Sequence, residues 1–136
     1  MNSQTATDFI VVDDEPMSNR ICEIVITRIF PESDVYTFTN PEKAFAHITN
    51  TYSHPQAHNA ILFLDIAMPI VSGWQILEKI GDLPDEVKNR INVYMLSSST
   101  DQKDINKASR NPLIKRFIEK PLLINSLRQQ LSNADF

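Results

Sequence analysis

Four short apolar runs in this chain each end in a polar residue able to do chemistry. Phe9-Ile10-Val11-Val12 ends in Asp13-Asp14, and Ala60-Ile61-Leu62-Phe63-Leu64 ends in Asp65. Tyr94-Met95-Leu96 ends in Ser97, and Phe117-Ile118-Glu119 ends in Lys120-Pro121. If these runs are strands of one parallel sheet, their carboxyl ends share an edge, which is where such sheets bind ligands. Three carboxylates, a hydroxyl and an ammonium then converge on one pocket. Adjacent carboxylates repel each other, so Asp13 and Asp14 at one strand end call for a cation. Magnesium suits them, since it takes oxygen ligands in octahedral geometry and keeps several waters. A carboxylate oxygen of Asp65 can attack phosphorus and form an acyl phosphate. That step needs the charge on the transferring group offset by a metal and by fixed cations. Lys120 supplies an ammonium there and Ser97 a hydroxyl donor. Taken singly, each residue has a plainer reading: Asp14 as a helix cap, Asp13 as a solvated loop residue, Asp65 as a turn former. Ser97 opens a polar stretch, Ser97-Ser98-Ser99-Thr100, and most lysines are simply solvated. Shared order and strand-end placement set the five apart.

The elements that must position them alternate along the chain. Pro16 suits the first turn of a helix, with Asp14 or Glu15 as its cap. Met17, Ile21, Ile24, Val25 and Arg28 follow at helical spacing, and Pro31 stops the helix after Phe30. Val35 to Phe38 is rich in strand formers. Asn40-Pro41 reads as cap and first turn of a second helix with Ala44, Phe45 and Ile48 buried. Residues 51–59 are polar, contain Pro55 and form a loop. A third helix follows Ser72-Gly73, with Trp74, Ile76, Leu77 and Ile80 as its apolar positions. Glu86 to Arg90 gives an extra turn, and Ile91 to Leu96 the fourth strand. Asp101 to Arg110 is a short polar helix, Ile114 to Glu119 the fifth strand, and Leu123, Leu127 and Leu131 mark the last helix. Strand and helix repeated five times predict an α/β fold, with a parallel sheet covered on both faces. The first helix is apolar on more than one face, through Met17, Ile21, Cys22, Ile24, Val25, Ile26 and Ile29. Covering a sheet needs only a stripe, so the excess is either extra core or a docking surface beside the strand ends.

Composition bounds the rest. At 136 residues the chain has the size of one domain, taken here as 1–136, with a core from about 9 to 131. Its net charge of -4 argues against a nucleic-acid surface, which needs clustered Lys and Arg. A single cysteine, Cys22, allows no internal disulfide and fits a reducing compartment. The first seven residues lack the basic and apolar regions of a signal peptide. No apolar run approaches the roughly 18 residues of a membrane span. These features predict a soluble, cytoplasmic protein with no nucleic-acid or membrane partner.

Asp13-Asp14, Asp65 with Met68-Pro69 and Gly73, Leu96-Ser97 and Lys120-Pro121 together resemble the receiver (CheY-like) domain of two-component response regulators, from about Phe9 to Leu131. The resemblance implies a flavodoxin-like, doubly wound (βα)5 fold with strand order 2-1-3-4-5. It implies that Asp65 is phosphorylated from a phosphohistidine of a histidine kinase or histidine phosphotransfer protein. Asp14 and Asp65 would hold Mg2+ through side chains, Asp13 would stand close by or act through water, and Ala67 would contribute its backbone carbonyl. Lys120 and Ser97 would steady the phosphoryl group, and Lys120-Pro121 would be cis. The switch pair would be Ser97 and Phe117. Phe117 stands where the family usually has Tyr, so it lacks an outward hydrogen bond but can swing inward as an apolar plug. The chain ends with its fifth helix, so a stand-alone signalling domain is expected, not an enzyme beyond self-phosphorylation and autodephosphorylation. It would relay the phosphoryl group or switch a downstream protein through the face formed by helix 101–110, the fifth strand and the last helix.

Two rivals fall to named residues. An aspartate-nucleophile phosphatase needs a second acid two residues after the nucleophile, and that position is Ala67. A degenerate receiver would lack members of the acidic pair, Asp65, Ser97 or Lys120, and all are present. His54 and His58 have a metal-binding spacing for a helix, but Pro55 lies between them in a loop, so no role is assigned to them. Trp74 is taken as a partly buried packing residue. Nothing basic or metal-binding is placed to activate Cys22.

Overall fold

The computed structural model describes residues 7–68, 72–98, 101–120 and 122–132. Its elements are β1 (Thr7–Val12), α1 (Pro16–Ile29), β2 (Val35–Phe38), α2 (Pro41–Thr51), β3 (Asn59–Asp65) and α3 (Gly73–Gly81). The four-residue α4 (Asp85–Lys88), β4 (Ile91–Ser97), α5 (Gln102–Ser109), β5 (Ile114–Glu119) and α6 (Ile124–Ser132) follow. All strand pairs are parallel, in the order β2-β1-β3-β4-β5, which is the flavodoxin-like order.

Helices cover both faces, so the strands read as continuous apolar runs rather than alternating ones. Ile10, Val12, Leu62, Leu64, Val93 and Met95 face α2 and α3, with Ala44, Ile48, Ile76, Leu77 and Ile80 opposite them. Phe9, Val11, Ile61, Phe63, Tyr94 and Leu96 face α1 and α6, against Cys22, Val25, Ile26 and Leu127. An aromatic row runs across this second face: Phe9 stacks on Phe63 at 6.4 Å and Phe63 meets the edge of Tyr94 at 5.5 Å.

Helix starts follow local chemistry. Asn40 accepts hydrogen bonds from the amides of Glu42 and Lys43, and Ser72 with Gln75 closes a capping box. The expected Asp14 or Glu15 side-chain cap of α1 does not form. Glu15 instead accepts from the Ser18 hydroxyl, while the amide of Glu15 donates to Asp13. Leu123 is also placed differently: it precedes α6 and is 54% exposed, whereas Leu127 is fully buried. The side chain of Leu131 lies outside the described residues, as do Pro69, Ser99, Thr100 and Pro121, and with Pro121 the expected cis bond.

Two details matter for the strand ends. The β4–β5 ladder carries a bulge, because Val93 pairs with Ile114 and Tyr94 with Arg116. Lys115 is the extra residue, so Ile114 and Phe117, three apart, both pack on the α2/α3 face. At the opposite, amino-terminal edge lies a polar cluster. Buried Asp8 accepts from the Tyr52 hydroxyl at 2.8 Å, and its other oxygen lies 3.2 Å from Nδ1 of His58. Arg90 donates to the carbonyls of Tyr52 (2.8 Å) and Pro55 (2.9 Å), which ties down the 52–58 loop. Burial, and then the bond to Asp8, pushes the Tyr52 hydroxyl far above its ordinary pKa.

Candidate functional site

At the carboxyl edge, β1 ends in Asp13, β3 in Asp65 and β4 in Ser97, all buried, with Asp14 half-buried beside them. One oxygen each from Asp13, Asp14 and Asp65 lies within 4.8 Å of the others. Lys120 follows directly on β5. Its amide donates to the Ser97 carbonyl at 2.7 Å, extending the β4–β5 pairing by one step. That backbone tie aims the side chain inward: Nζ stands 2.7 Å from Oδ2 of Asp13 and 3.6 Å from Oδ2 of Asp65. The remaining oxygens meet backbone amides, with Oδ1 of Asp13 accepting from Glu15 at 3.0 Å and Oδ1 of Asp65 from Ala67 at 3.3 Å. The structure thus brings Asp13, Asp14, Asp65 and Lys120 together, and puts Ser97 at the adjoining strand end. Phe117 pairs with Met95 and is half-buried against the α2/α3 core.

Three buried or half-buried carboxylates face one ammonium, so the site carries excess negative charge. Burial pushes the Asp65 carboxyl up from 3.8 to about 6, and the neighbouring Asp13 adds to this, while Lys120 and the Ala67 amide pull the other way. Burial works against the Lys120 ammonium too, but its bond to Asp13 and the charge of Asp65 outweigh it and hold the pKa above the ordinary value. A cation is therefore wanted. Octahedral oxygen ligands about 2.1 Å from Mg2+ lie roughly 3 to 4.2 Å apart. The aspartate oxygens are already near that spacing, so the donor set fits the ion.

Local sequence explains how Asp65 is placed. An added Cβ on Gly73 would lie 2.4 Å from the Asp65 carbonyl oxygen, so only glycine lets α3 start this close to the end of β3. The Gly73 amide donates to the Ile66 carbonyl at 3.0 Å, pinning the start of α3 to the residue that follows β3. Asn19 was not singled out from the sequence. Its amide nitrogen reaches the carbonyls of Asp13 (3.0 Å) and Phe38 (3.1 Å) and joins the ends of β1 and β2 behind the acidic pair. A polar residue on the sheet-facing side of α1 was the available signal. His58 likewise has a structural role, as the partner of Asp8. Cys22 is buried, and that burial raises its pKa to about 11, so the thiol stays protonated.

A cavity of about 220 Å3 lies beside Lys120, lined also by Ser18, Ile21, Cys22, Ser98 and Leu122. Of the large apolar side chains that the described residues leave exposed, Ile21 (41%) lines it, Met17 (70%) and Ile24 (47%) lie on the same helix, and Leu123 (54%) follows the lining residue Leu122. The extra apolar face of α1 is therefore surface rather than core. Among the described residues, no helix is long and apolar enough to cross a membrane.

Known proteins resemble this arrangement. A response regulator receiver protein from Dyadobacter fermentans is 32% identical, with a TM-score of 0.82 over 93% of this chain and 96% of its own. A response regulator from Thermotoga maritima, solved in complex with Mg2+-BeF, shares the fold at a TM-score of 0.69 and 17% identity, over 94% of this chain and 97% of its own. Among curated proteins, Stress response regulator protein 1 of Clavispora lusitaniae is 35% identical over 72 residues, which is 53% of this chain and 35% of that protein. Its namesake in Meyerozyma guilliermondii is 24% identical over 97 residues, 71% of this chain and 41% of that protein. The chain thus spans less than half the length of these curated relatives. The model of the response regulator receiver domain matches residues 9–132, nearly the whole chain. The protein belongs to the receiver-domain family of two-component response regulators, the signalling domains built on this sheet and this acidic edge.

Proposed function

We propose that Asp65 is the phospho-acceptor and that its donor is a phosphohistidine on a partner histidine kinase or phosphotransfer protein. The observation that carries this reading is Lys120, whose ammonium reaches both Asp13 and Asp65 where three aspartate oxygens converge. In the transfer, an Asp65 carboxylate oxygen forms a bond to phosphorus as the phosphorus–nitrogen bond breaks. The imidazole leaves with that electron pair. Asp14, Asp65 and the Ala67 carbonyl would hold Mg2+, with Asp13 close by or acting through water, and the bound ion would offset the charge of the phosphoryl oxygens. The Mg2+-BeF complex of the Thermotoga maritima relative supports the same ligand chemistry here. Lys120 supplies the fixed positive charge, and the Ser97 hydroxyl donates to a phosphoryl oxygen.

The donor docks on the exposed apolar face of α1 around Met17, Ile21 and Ile24, next to the cavity that Lys120 also lines. Output leaves through α5, β5 and α6, either to a downstream protein or onward in a relay. The domain acts as a cytoplasmic receiver with no chemistry beyond its own phosphorylation and dephosphorylation.

The test is labelling with acetyl phosphate or a phosphorylated histidine donor in magnesium, for the parent chain and Asp65→Asn. The parent is expected to form an acid-stable, base-labile acyl phosphate, and the variant none. Equal labelling of the variant overturns the assignment.

A further inference from the structure

Asn19 stands in the first turn of α1 and is buried, as Asp13, Asp65 and Ser97 are at the strand ends. Its Nδ2 donates to the carbonyls of Asp13 (3.0 Å) and Phe38 (3.1 Å), and a pair of acceptors there fixes which end of the amide faces them. Its Oδ1 is buried and unpaired among the described residues. A buried acceptor without a donor costs about 1–3 kcal/mol. Asparagine is also a poor helix former. Leucine has nearly the same shape, suits a helix and brings no orphan oxygen. It would orphan the Asp13 carbonyl instead, while the Phe38 carbonyl would keep the Asp13 amide, which reaches it at 3.1 Å. For stability the two residues are therefore close to an even exchange. What sets Asn19 apart is what its donor holds.

It holds the peptide between the two aspartates. The Asp13 carbonyl lies in the plane that carries the Asp14 amide, so a donor on it governs how the two side chains are set against each other. Asp13 is gripped elsewhere too: Oδ1 accepts from the Glu15 amide and Oδ2 meets Lys120 at 2.7 Å. The Phe38 carbonyl receives both the Asp13 amide and Asn19, which locks this turn to the edge strand β2. Only residues 13–15 connect β1 to α1, and the like charges of Asp13 and Asp14 strain that short turn. We propose that Asn19 is a positioning residue for the magnesium site, clamping the Asp13–Asp14 peptide so that the aspartate oxygens keep the spacing the ion needs. The inference rests on the reading of the acidic edge as a Mg2+-dependent acceptor site. Groups that orient a metal's ligands are typically worth about 10–100-fold in affinity. Asn19 acts through the backbone, so its effect belongs at the low end of that range.

The experiment titrates Mg2+ into the whole 15N-labelled protein without a phosphate donor, for the parent, Asn19→Leu and Tyr52→Phe, and unfolds each in urea. Asn19→Leu should keep a urea midpoint close to the parent's, yet bind Mg2+ about tenfold more weakly. Tyr52→Phe loses a buried hydrogen bond at the opposite edge and should bind Mg2+ as the parent does. Acetyl phosphate labelling of Asn19→Leu should lag most at low Mg2+ and recover as the ion is raised. Unchanged Mg2+ affinity in Asn19→Leu, or weakening that follows lost stability in both variants alike, would overturn the proposal. If Asn19→Leu does not fold, the parent decides. Its Asn19 side-chain amide signals should move with the same Mg2+ dependence as the Glu15 amide, and signals that stay still would overturn the proposal. A parent that binds Mg2+ but is never labelled removes the acceptor reading alone, and the titration still decides the role of Asn19.

Discussion

Asp65 is held in a place that suits a proton better than a charge. Folded, it keeps its proton up to about pH 6, whereas the unfolded chain releases it near 3.8. Between those values the folded state binds more protons, so this residue lowers stability as pH rises through the window, and the full cost stands above it. Asp65→Asn should therefore be more stable than the parent by about 1–2 kcal/mol near pH 8 without metal, with the gap closing towards pH 4. Urea unfolding in chelator across that range checks it, and a gap that widens on acidification would contradict the cause given. Magnesium should erase much of the difference, since it neutralises the same charge. Asp14→Ala removes one of the three convergent oxygens, and should weaken magnesium binding and slow acetyl phosphate labelling at least about tenfold. Unchanged labelling would remove Asp14 from the ion's ligands. These acidic residues were legible in the sequence because each follows a buried run directly. Asn19 and the Asp8 cluster were not, since their partners lie 6 to 50 residues away and only folding joins them.

At the scale of elements, the start of α3 is the tightest constraint. Gly73→Ala would press a methyl into the Asp65 carbonyl, where backbone cannot step aside. Either α3 or the end of β3 must shift. A loss of about 2 kcal/mol or more is expected by analogy with overpacked cores, with slower phosphorylation because the acceptor itself moves. Wild-type stability together with wild-type labelling would show that the helix start can slide freely. Tyr52→Phe tests the other edge: it strips the donor from a buried Asp8 oxygen, and should cost about 1–3 kcal/mol while leaving labelling intact. Element identity was readable from runs and caps, as at Asn40 and Ser72. The bulge at Lys115 was not, because the odd spacing of Ile114 and Phe117 has meaning only against the register of β4. The cap of α1 was misread for a similar reason. Glu15, one of the two candidates, accepts from the Ser18 hydroxyl instead, and its own amide is taken by Asp13.

For the whole molecule, the question is how charge placed on Asp65 reaches the surface. Phosphate would draw Ser97 and Lys120 towards new acceptor oxygens, and room left by Ser97 would let Phe117 turn inward. With no hydroxyl to hold it outward, Phe117 should sample both positions before activation, and a partner that prefers one surface shifts the balance. Amide exchange with and without beryllofluoride should therefore change in β4, α5 and β5 as well as around Asp65. Changes confined to the acceptor loop would rule out this coupling. Trp74 directly follows Gly73 and carries the Lys107 ammonium 4.4 Å above its ring, which links α3 to α5. The two ends of the sheet are built to opposite mechanical purposes. At the amino-terminal end, Asp8, Tyr52, His58 and Arg90 satisfy one another and lash the 52–58 loop to the strands. The molecule is a fork gripped at its stem, with its tines loaded by unbalanced charge, so a charge added at Asp65 would find its free travel at the carboxyl edge and not at the braced end.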